Sequence, residues 1–134
     1  MEENNNEQKT ILVVDDEEVQ RKPMIEELQD EGYNVLVAVN GQEGLEMAFR
    51  EEPDLILLDI VMPVMDGMTM LKELRQKNSW SKNVPVILLT NLSADQEGII
   101  EGVTKDEPAY YLVKSDFTLE EVVEKVNERL SREA

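Results

Sequence analysis

The chain has 134 residues, which is enough for one domain with a hydrophobic core. It contains neither cysteine nor histidine, which excludes disulfides, thiolate chemistry and the usual transition-metal ligands, so any metal site must be built from oxygens. Its 13 Lys and Arg against 30 Asp and Glu give a net charge of −17, so direct binding to nucleic acid or to anionic membranes is not expected.

The first residues, 1–8, are acidic and rich in Asn, without the apolar segment of a signal peptide, and predict a short disordered tail. Apolar runs in the sequence are too short to span a membrane, so a cytoplasmic location is expected. Residues 9–134 show no repeat and no interdomain linker, and are expected to form a single domain.

Short apolar runs alternate with longer amphipathic segments along this domain. Each run is continuous rather than alternating, as expected for a strand that is covered on both faces. Strands that alternate with helices predict an α/β fold, namely a doubly wound parallel sheet with helices on both faces. The five predicted strands are 11–14, 35–39, 55–58, 86–89 and 110–113.

Helices between the strands are predicted from capping patterns, in which a polar side chain accepts from the first free backbone N–H groups. The predicted N-caps are Asn40, Asp66, Ser93 and Thr118. Pro23 lies past the first turn of a helix that would start near Glu17, so it should kink that helix or delay its start. Trp80 lies in a predicted loop and is assigned no role.

Polar residues directly follow the apolar runs, at the strand ends where open α/β sheets bind their ligands. Asp15 and Asp16 follow the first strand and Asp59 follows the third; acids so placed repel one another unless a cation lies among them. Mg²⁺ suits an oxygen site of this kind. Thr90, after the fourth strand, and Lys114, after the fifth, could hold further oxygens of a phosphate. Asp59 would then be a nucleophile toward phosphorus.

Each of these residues also has a purely structural interpretation. Asp16 could simply cap the following helix, Thr90 could end a strand, and Lys114 could be a surface lysine. Asp59 is harder to explain in this way, because its apolar neighbours predict burial, where an unpaired carboxylate is costly. The hypothesis therefore depends on the whole set and not on any single member.

The sequence resembles the receiver domain of bacterial response regulators, from about Thr10 to the last predicted helix. The most specific match is the block 54–67, which reads DLILLDIVMPVMDG. The other matching stretches, in the family's order, are 11–17, 40–45, 85–90 and 111–114.

This resemblance implies a flavodoxin-like strand order of 2-1-3-4-5 and Asp59 as the phosphoacceptor. It implies that Mg²⁺ is held by Asp16, Asp59 and the Val61 carbonyl, with Asp15 acting mainly through water. The phosphodonor would be a histidine on a partner histidine kinase or histidine phosphotransfer protein. The chain would not be an enzyme beyond catalysing its own phosphorylation and dephosphorylation.

By the same resemblance, Thr90 and Tyr111 would move together on phosphorylation. The face made by the helix after Ser93, the fifth strand and the last helix would then bind a downstream protein target. A monomer is expected, and pairing of two copies through this face is left open.

Three alternatives compete with this interpretation. Asn91 and Ser115 stand where the family usually has a small residue and a proline, which leaves open a degenerate receiver that serves only as a docking module. A Mg²⁺-dependent phosphatase with an Asp nucleophile would need a second Asp at the position of Val61, two residues after Asp59. An FMN protein would need a Ser/Thr/Gly-rich phosphate loop where the chain has the acidic residues 15–18.

Overall fold

The computed structural model describes residues 8–90, 110–113 and 118–131. The strands in these ranges are β1 (Thr10–Val14), β2 (Asn34–Ala38), β3 (Leu55–Asp59), β4 (Val86–Thr90) and β5 (Tyr110–Val113). The helices are α1 (Glu18–Asp30), α2 (Gly41–Glu51), α3 (Gly67–Leu74), α4 (Ser79–Asn83) and α5 (Leu119–Ser131).

The strands form one sheet in the order β2-β1-β3-β4-β5, and each pair of neighbours is parallel. The strand order implied by the resemblance is therefore confirmed. Val14 lies beside Leu58, and Leu58 beside Leu88, so the carboxyl ends of β1, β3 and β4 are adjacent. This edge of the sheet positions the candidate site.

Helices cover both faces of the sheet, as predicted. One face packs against α2 and α3, where Leu12 of β1 shares a buried cluster with Leu71. The other face packs against α1 and α5, where Ile11 shares a second cluster with Leu28 and Val126. Ile11 and Leu12 face opposite clusters because successive side chains of a strand point to opposite faces. The continuous apolar runs thus supply both cores at once.

Three predicted helix caps are present. The side chains of Asn40 and Asp66 each accept a hydrogen bond of 2.8 Å from the backbone N–H three residues later. Thr118 and Glu121 exchange the two bonds of a capping box, of 2.9 and 3.1 Å. Caps of this kind stabilise a helix by about 1 kcal/mol each.

The expected effect of Pro23 on the start of α1 is wrong. The helix begins at Glu18 and runs without interruption through the proline. Arg21 donates its backbone N–H to the Glu17 carbonyl at 2.9 Å, so the first turn is closed before Pro23 is reached. The N–H that Pro23 lacks would have bonded to the carbonyl of Val19, a residue that is 86% exposed and so is open to water.

The loop predicted around Trp80 is instead the short helix α4. Asn78 caps it through a capping box with Ser81, a pair that the sequence analysis did not recognise because Glu or Gln is the usual partner. Trp80 meets Phe49 edge-on, with ring centroids 6.3 Å apart, and packs against the first buried cluster. Its role is therefore in packing.

Several predictions lie outside the described residues. They concern residues 1–7 of the predicted tail, the helix after Ser93, and the positions Asn91, Lys114 and Ser115. Within the part of the chain that is described, no helix has both the length and the apolar character needed to cross a membrane.

Candidate metal centre

Three aspartates meet at the carboxyl edge of the sheet. Asp59 ends β3, and Asp15 and Asp16 follow β1 directly. Each offers one carboxylate oxygen to a set whose members all lie within 4.8 Å of one another. The pairing of Val14 with Leu58 places the two strand ends side by side, as the strand-end argument predicted.

Two of the three carboxylates are withdrawn from water. Asp15 is 8% exposed and Asp59 is 9% exposed, whereas Asp16 is exposed. Asp15 Oδ1 accepts from the N–H of Glu17 at 3.0 Å, and Asp59 Oδ1 accepts from the N–H of Ile60 at 2.8 Å. These bonds orient both carboxylates. Like charges held so close in a poorly hydrated place favour a cation among them.

Asp16 does not cap α1, so its purely structural interpretation is wrong. The N-cap is Glu17, whose side chain makes no capping bond. It is Asp15, not Asp16, that accepts from the backbone at this point. In the structure, Asp16 is instead one of the three aspartates of the acidic set.

The donor set fits Mg²⁺ in chemistry and nearly in size. Carboxylate oxygens are the hard ligands that this ion prefers, and two ligands on one ion lie at most about 4.2 Å apart. The carboxylate oxygens lie within 4.8 Å of one another, which is slightly more than this distance. A small side-chain rotation would bring them into range, as would a water that lies between one carboxylate and the ion. Val61, whose carbonyl is the other predicted ligand, lies two residues after Asp59 in the loop between β3 and α3.

Backbone hydrogen bonds hold this loop against the acidic edge. Gly67 donates its N–H to the Ile60 carbonyl at 2.8 Å, and Gly41 donates its N–H to the Met65 carbonyl at 2.9 Å. A Cβ at Gly67 would lie 2.1 Å from the carbonyl oxygen of Asp59, so only glycine fits there. The sequence analysis did not single out either glycine. The sequence feature that could have identified them is that each glycine directly follows a predicted N-cap, Asn40 or Asp66.

Arg21 brings a positive charge to the site, which the sequence analysis also missed. Its half-buried side chain donates from Nη1 to the carbonyl oxygen of Asp15 at 2.8 Å. The charge offsets part of the repulsion among the three carboxylates. The signal in the sequence was weak, because an arginine in the first helix is ordinarily a surface residue.

The backbone also brings Thr90 to this edge. Thr90 ends β4, one residue beyond Leu89, which pairs with Asp59. Tyr111 lies within β5, the outer strand on that side. Lys114 is outside the described residues, and the roles assigned to all these residues stay predictions.

The fold agrees with what comparisons with known proteins show. Residues 11–127 match the family model of the response regulator receiver domain. The receiver domain of the Francisella response regulator 1452 is 32% identical, with 94% of this chain and 99% of that chain covered and a TM-score of 0.82. The chemotaxis protein CheY4 of Vibrio cholerae is 30% identical, with 90% and 98% covered and a TM-score of 0.80.

A third similar structure is the response regulator protein TrrA of Thermotoga maritima, which was solved in complex with Mg²⁺–BeF. It is 40% identical, covers 90% of this chain and 97% of its own, and has a TM-score of 0.77. The chain therefore belongs to the response regulator receiver domain family of two-component signalling, which confirms the resemblance found in the sequence.

Proposed function

We propose that this chain is a phosphorylation-controlled switch that accepts a phosphoryl group on Asp59 from a phosphohistidine of a histidine kinase or histidine phosphotransfer protein. The observation that carries the proposal is the recessed Asp59 carboxylate within 4.8 Å of those of Asp15 and Asp16. In the transfer, an Asp59 oxygen attacks phosphorus, the P–O bond forms and the P–N bond breaks. The histidine leaves as neutral imidazole when its ring carries one proton.

Asp59 is the best nucleophile of the three acids. It is 9% exposed, so its carboxylate is poorly hydrated, and the N–H of Ile60 fixes its orientation. Asp15 is equally recessed and accepts from the N–H of Glu17, so its assignment as a ligand that acts through water follows the family resemblance; Asp16 is exposed, which suits a metal ligand more than an attacking group. Positioning and charge neutralisation are most of what phosphoryl transfer requires.

Mg²⁺ would be held by the carboxylates of Asp15, Asp16 and Asp59 and by the Val61 carbonyl, with Asp15 acting mainly through water. When bound, the ion supplies positive charge that lets a phosphate approach the carboxylates. The arrangement of the three carboxylates supports this assignment, as does the Mg²⁺–BeF complex of the Thermotoga relative.

We further assign Thr90 and Lys114 to the phosphoryl oxygens, the first as a hydroxyl donor and the second as a positive charge. Thr90 and Tyr111 would shift together, and the face formed by the segment after Ser93, β5 and α5 would change its affinity for a downstream protein. The physical basis is a population shift, in which added charge at one edge biases two packings of nearby segments.

The chain would act as a monomer in the cytoplasm and would turn over no substrate other than its own phosphoryl group. The absence of turnover is supported by Val61, two residues after Asp59, because valine cannot transfer a proton as the general acid of a phosphatase would. The net charge of −17 argues against direct contact with nucleic acid or anionic lipid.

Intact-mass measurement after treatment with acetyl phosphate and Mg²⁺ tests the proposal. Wild type should gain one phosphoryl group, Asp59→Asn should gain none, and the control Asp30→Asn, at an exposed aspartate of α1, should behave like wild type. An equal gain in Asp59→Asn would overturn the phosphoacceptor assignment. A wild type that gains nothing would instead point to a docking module that works without phosphorylation.

A further inference from the structure

The main chain between Asp15 and Asp16 is held by a side chain from the following helix. Arg21 donates from Nη1 to the carbonyl oxygen of Asp15 at 2.8 Å. This carbonyl belongs to the peptide group that joins Asp15 to Asp16, and a peptide group is planar. A bond that fixes its oxygen therefore also fixes the direction in which the chain enters Asp16. The contact thus reaches two of the three aspartates of the acidic set through the backbone.

The two aspartates differ in how far other contacts hold them. The N–H of Asp15 donates to the Ala38 carbonyl at 3.1 Å, and Oδ1 of Asp15 accepts from the N–H of Glu17 at 3.0 Å. Asp15 is also buried, whereas Asp16 is exposed. An exposed side chain gains little orientation from packing. The position of the Asp16 carboxylate therefore depends mainly on the peptide group that Arg21 holds.

Arg21 is itself well placed to hold this peptide group. It lies in the first turns of α1, where its N–H donates to the Glu17 carbonyl at 2.9 Å, and its side chain is half-buried. The helix is anchored to the sheet through Leu28, which shares a buried cluster with Ile11 of β1. The guanidinium is thus presented by a rigid element that is fixed to the same strand that ends at the acidic edge.

Arg21 would have two effects of opposite sign on Mg²⁺ binding. Its positive charge repels the ion, but water and salt weaken this repulsion because the side chain is only half-buried. Its hydrogen bond arranges the ligand-bearing backbone before the ion arrives, and removal of such supporting groups typically weakens metal binding by about 10- to 100-fold. We expect the effect of geometry to be the larger of the two.

We propose that Arg21 is a positioning residue of the metal centre, an inference that rests on the proposed function because it takes the Mg²⁺ site as its premise. The bond to the Asp15 carbonyl keeps the Asp15–Asp16 peptide in the orientation that brings the acidic set together. Loss of this bond weakens Mg²⁺ binding even though a positive charge is lost with it. Charge alone would have the opposite effect.

The test compares Arg21→Met with the matched control Lys22→Met. Methionine keeps an unbranched stem and favours a helix, but it has neither the charge nor the donor of arginine. Lys22 is the next residue of α1 and is exposed, so the control loses the same charge without losing the bond to Asp15. Each protein is titrated with MgCl₂ alone, and the rise in melting temperature gives the dissociation constant.

We expect the dissociation constant of Arg21→Met for Mg²⁺ to be about tenfold higher than that of wild type. Lys22→Met should bind Mg²⁺ within about twofold of wild type, because an exposed charge is screened. Arg21→Lys keeps the charge and a donor but lacks the reach and planar shape of the guanidinium, so its affinity should be intermediate, about threefold weaker than wild type.

The outcomes separate this inference from the proposed function. If Arg21→Met binds Mg²⁺ as tightly as wild type, or more tightly, only the charge of Arg21 acts at the site and the inference is overturned. Circular dichroism checks that the variants fold. If Arg21→Met does not fold, Arg21→Lys decides, since it keeps the charge, and wild-type affinity in that variant would overturn the inference. A wild type whose melting temperature does not respond to Mg²⁺ would overturn the metal site of the proposed function itself.

Discussion

Gly67 lies so close to Asp59 that a Cβ on the glycine would stand 2.1 Å from the aspartate carbonyl oxygen. The first residue of α3 is thus pressed against the last residue of β3, and the loop between them is closed by the bond from Gly67 N–H to the Ile60 carbonyl. The loop carries Val61, so the contact at Gly67 fixes the part of the chain whose carbonyl is a proposed metal ligand.

Gly67→Ala should therefore destabilise the protein by more than about 3 kcal/mol, because a methyl group would have to displace backbone atoms. Urea unfolding followed by circular dichroism measures the loss. Gly32→Ala is the control: its φ of +99° disfavours a side chain, but nothing lies within 4 Å of the new Cβ, so it should cost only about 1–2 kcal/mol. Equal losses would show that the loop moves aside easily.

The sheet and its acidic edge could be predicted from the sequence because both follow from simple periodicity. A strand that is buried on both faces, such as Leu55–Asp59, must be apolar throughout, and the first polar residue after it marks the edge of the sheet. Parallel pairing in register then brings Asp15 and Asp59 together without any long-range information beyond strand order.

Other features depend on tertiary contacts that leave little trace in the sequence. The five-residue helix α4 is too short for a periodic signal and is recognisable only from the bonds between Asn78 and Ser81. The positive φ of Val64, 70°, goes against the preference of valine for extended backbone, so local propensity predicts the wrong conformation there. The contact of Arg21 with the Asp15 carbonyl likewise depends on how α1 leaves β1.

Asp59→Asn should keep the fold and raise the stability of the Mg²⁺-free protein by about 1 kcal/mol, because it removes one of three mutually repelling charges. Thermal unfolding in the presence of a chelator measures this gain. Asp30→Asn, at an exposed aspartate outside the cluster, should change the melting temperature much less. A drop in the stability of Asp59→Asn would mean that the carboxylate is well compensated without metal, contrary to the repulsion argued here.

Asp16→Ala should weaken Mg²⁺ binding by at least about tenfold, since the ion would lose a charged oxygen ligand. Binding can be followed as the rise in melting temperature with increasing Mg²⁺, which reports the dissociation constant through linkage. Glu18→Ala removes a carboxylate that is also exposed but lies outside the acidic set, so it controls for the general loss of negative charge. Identical Mg²⁺ titrations of the two variants would rule out Asp16 as a ligand.

Tyr33 links the segment after α1 to the last helix. Its hydroxyl donates to Oδ1 of Asn127, and Nδ2 of Asn127 donates to Glu31 at 3.1 Å. Burial, and then the nearby charge of Glu31, raise the pKa of Tyr33 above its usual 10.0. The folded protein therefore holds the phenol proton more tightly than the unfolded chain. The resulting stability is present below about pH 10 and is lost as pH rises through the folded pKa.

Tyr33→Phe should lower the free energy of unfolding by about 1 kcal/mol near neutral pH, where the hydroxyl of the wild type keeps its hydrogen bond. The difference between wild type and variant should shrink above about pH 10, because only the wild type has this phenol to ionise. Urea unfolding of both proteins at a series of pH values measures the difference directly. A gap that stays constant across the whole series would mean that Tyr33 titrates alike in the folded and unfolded states.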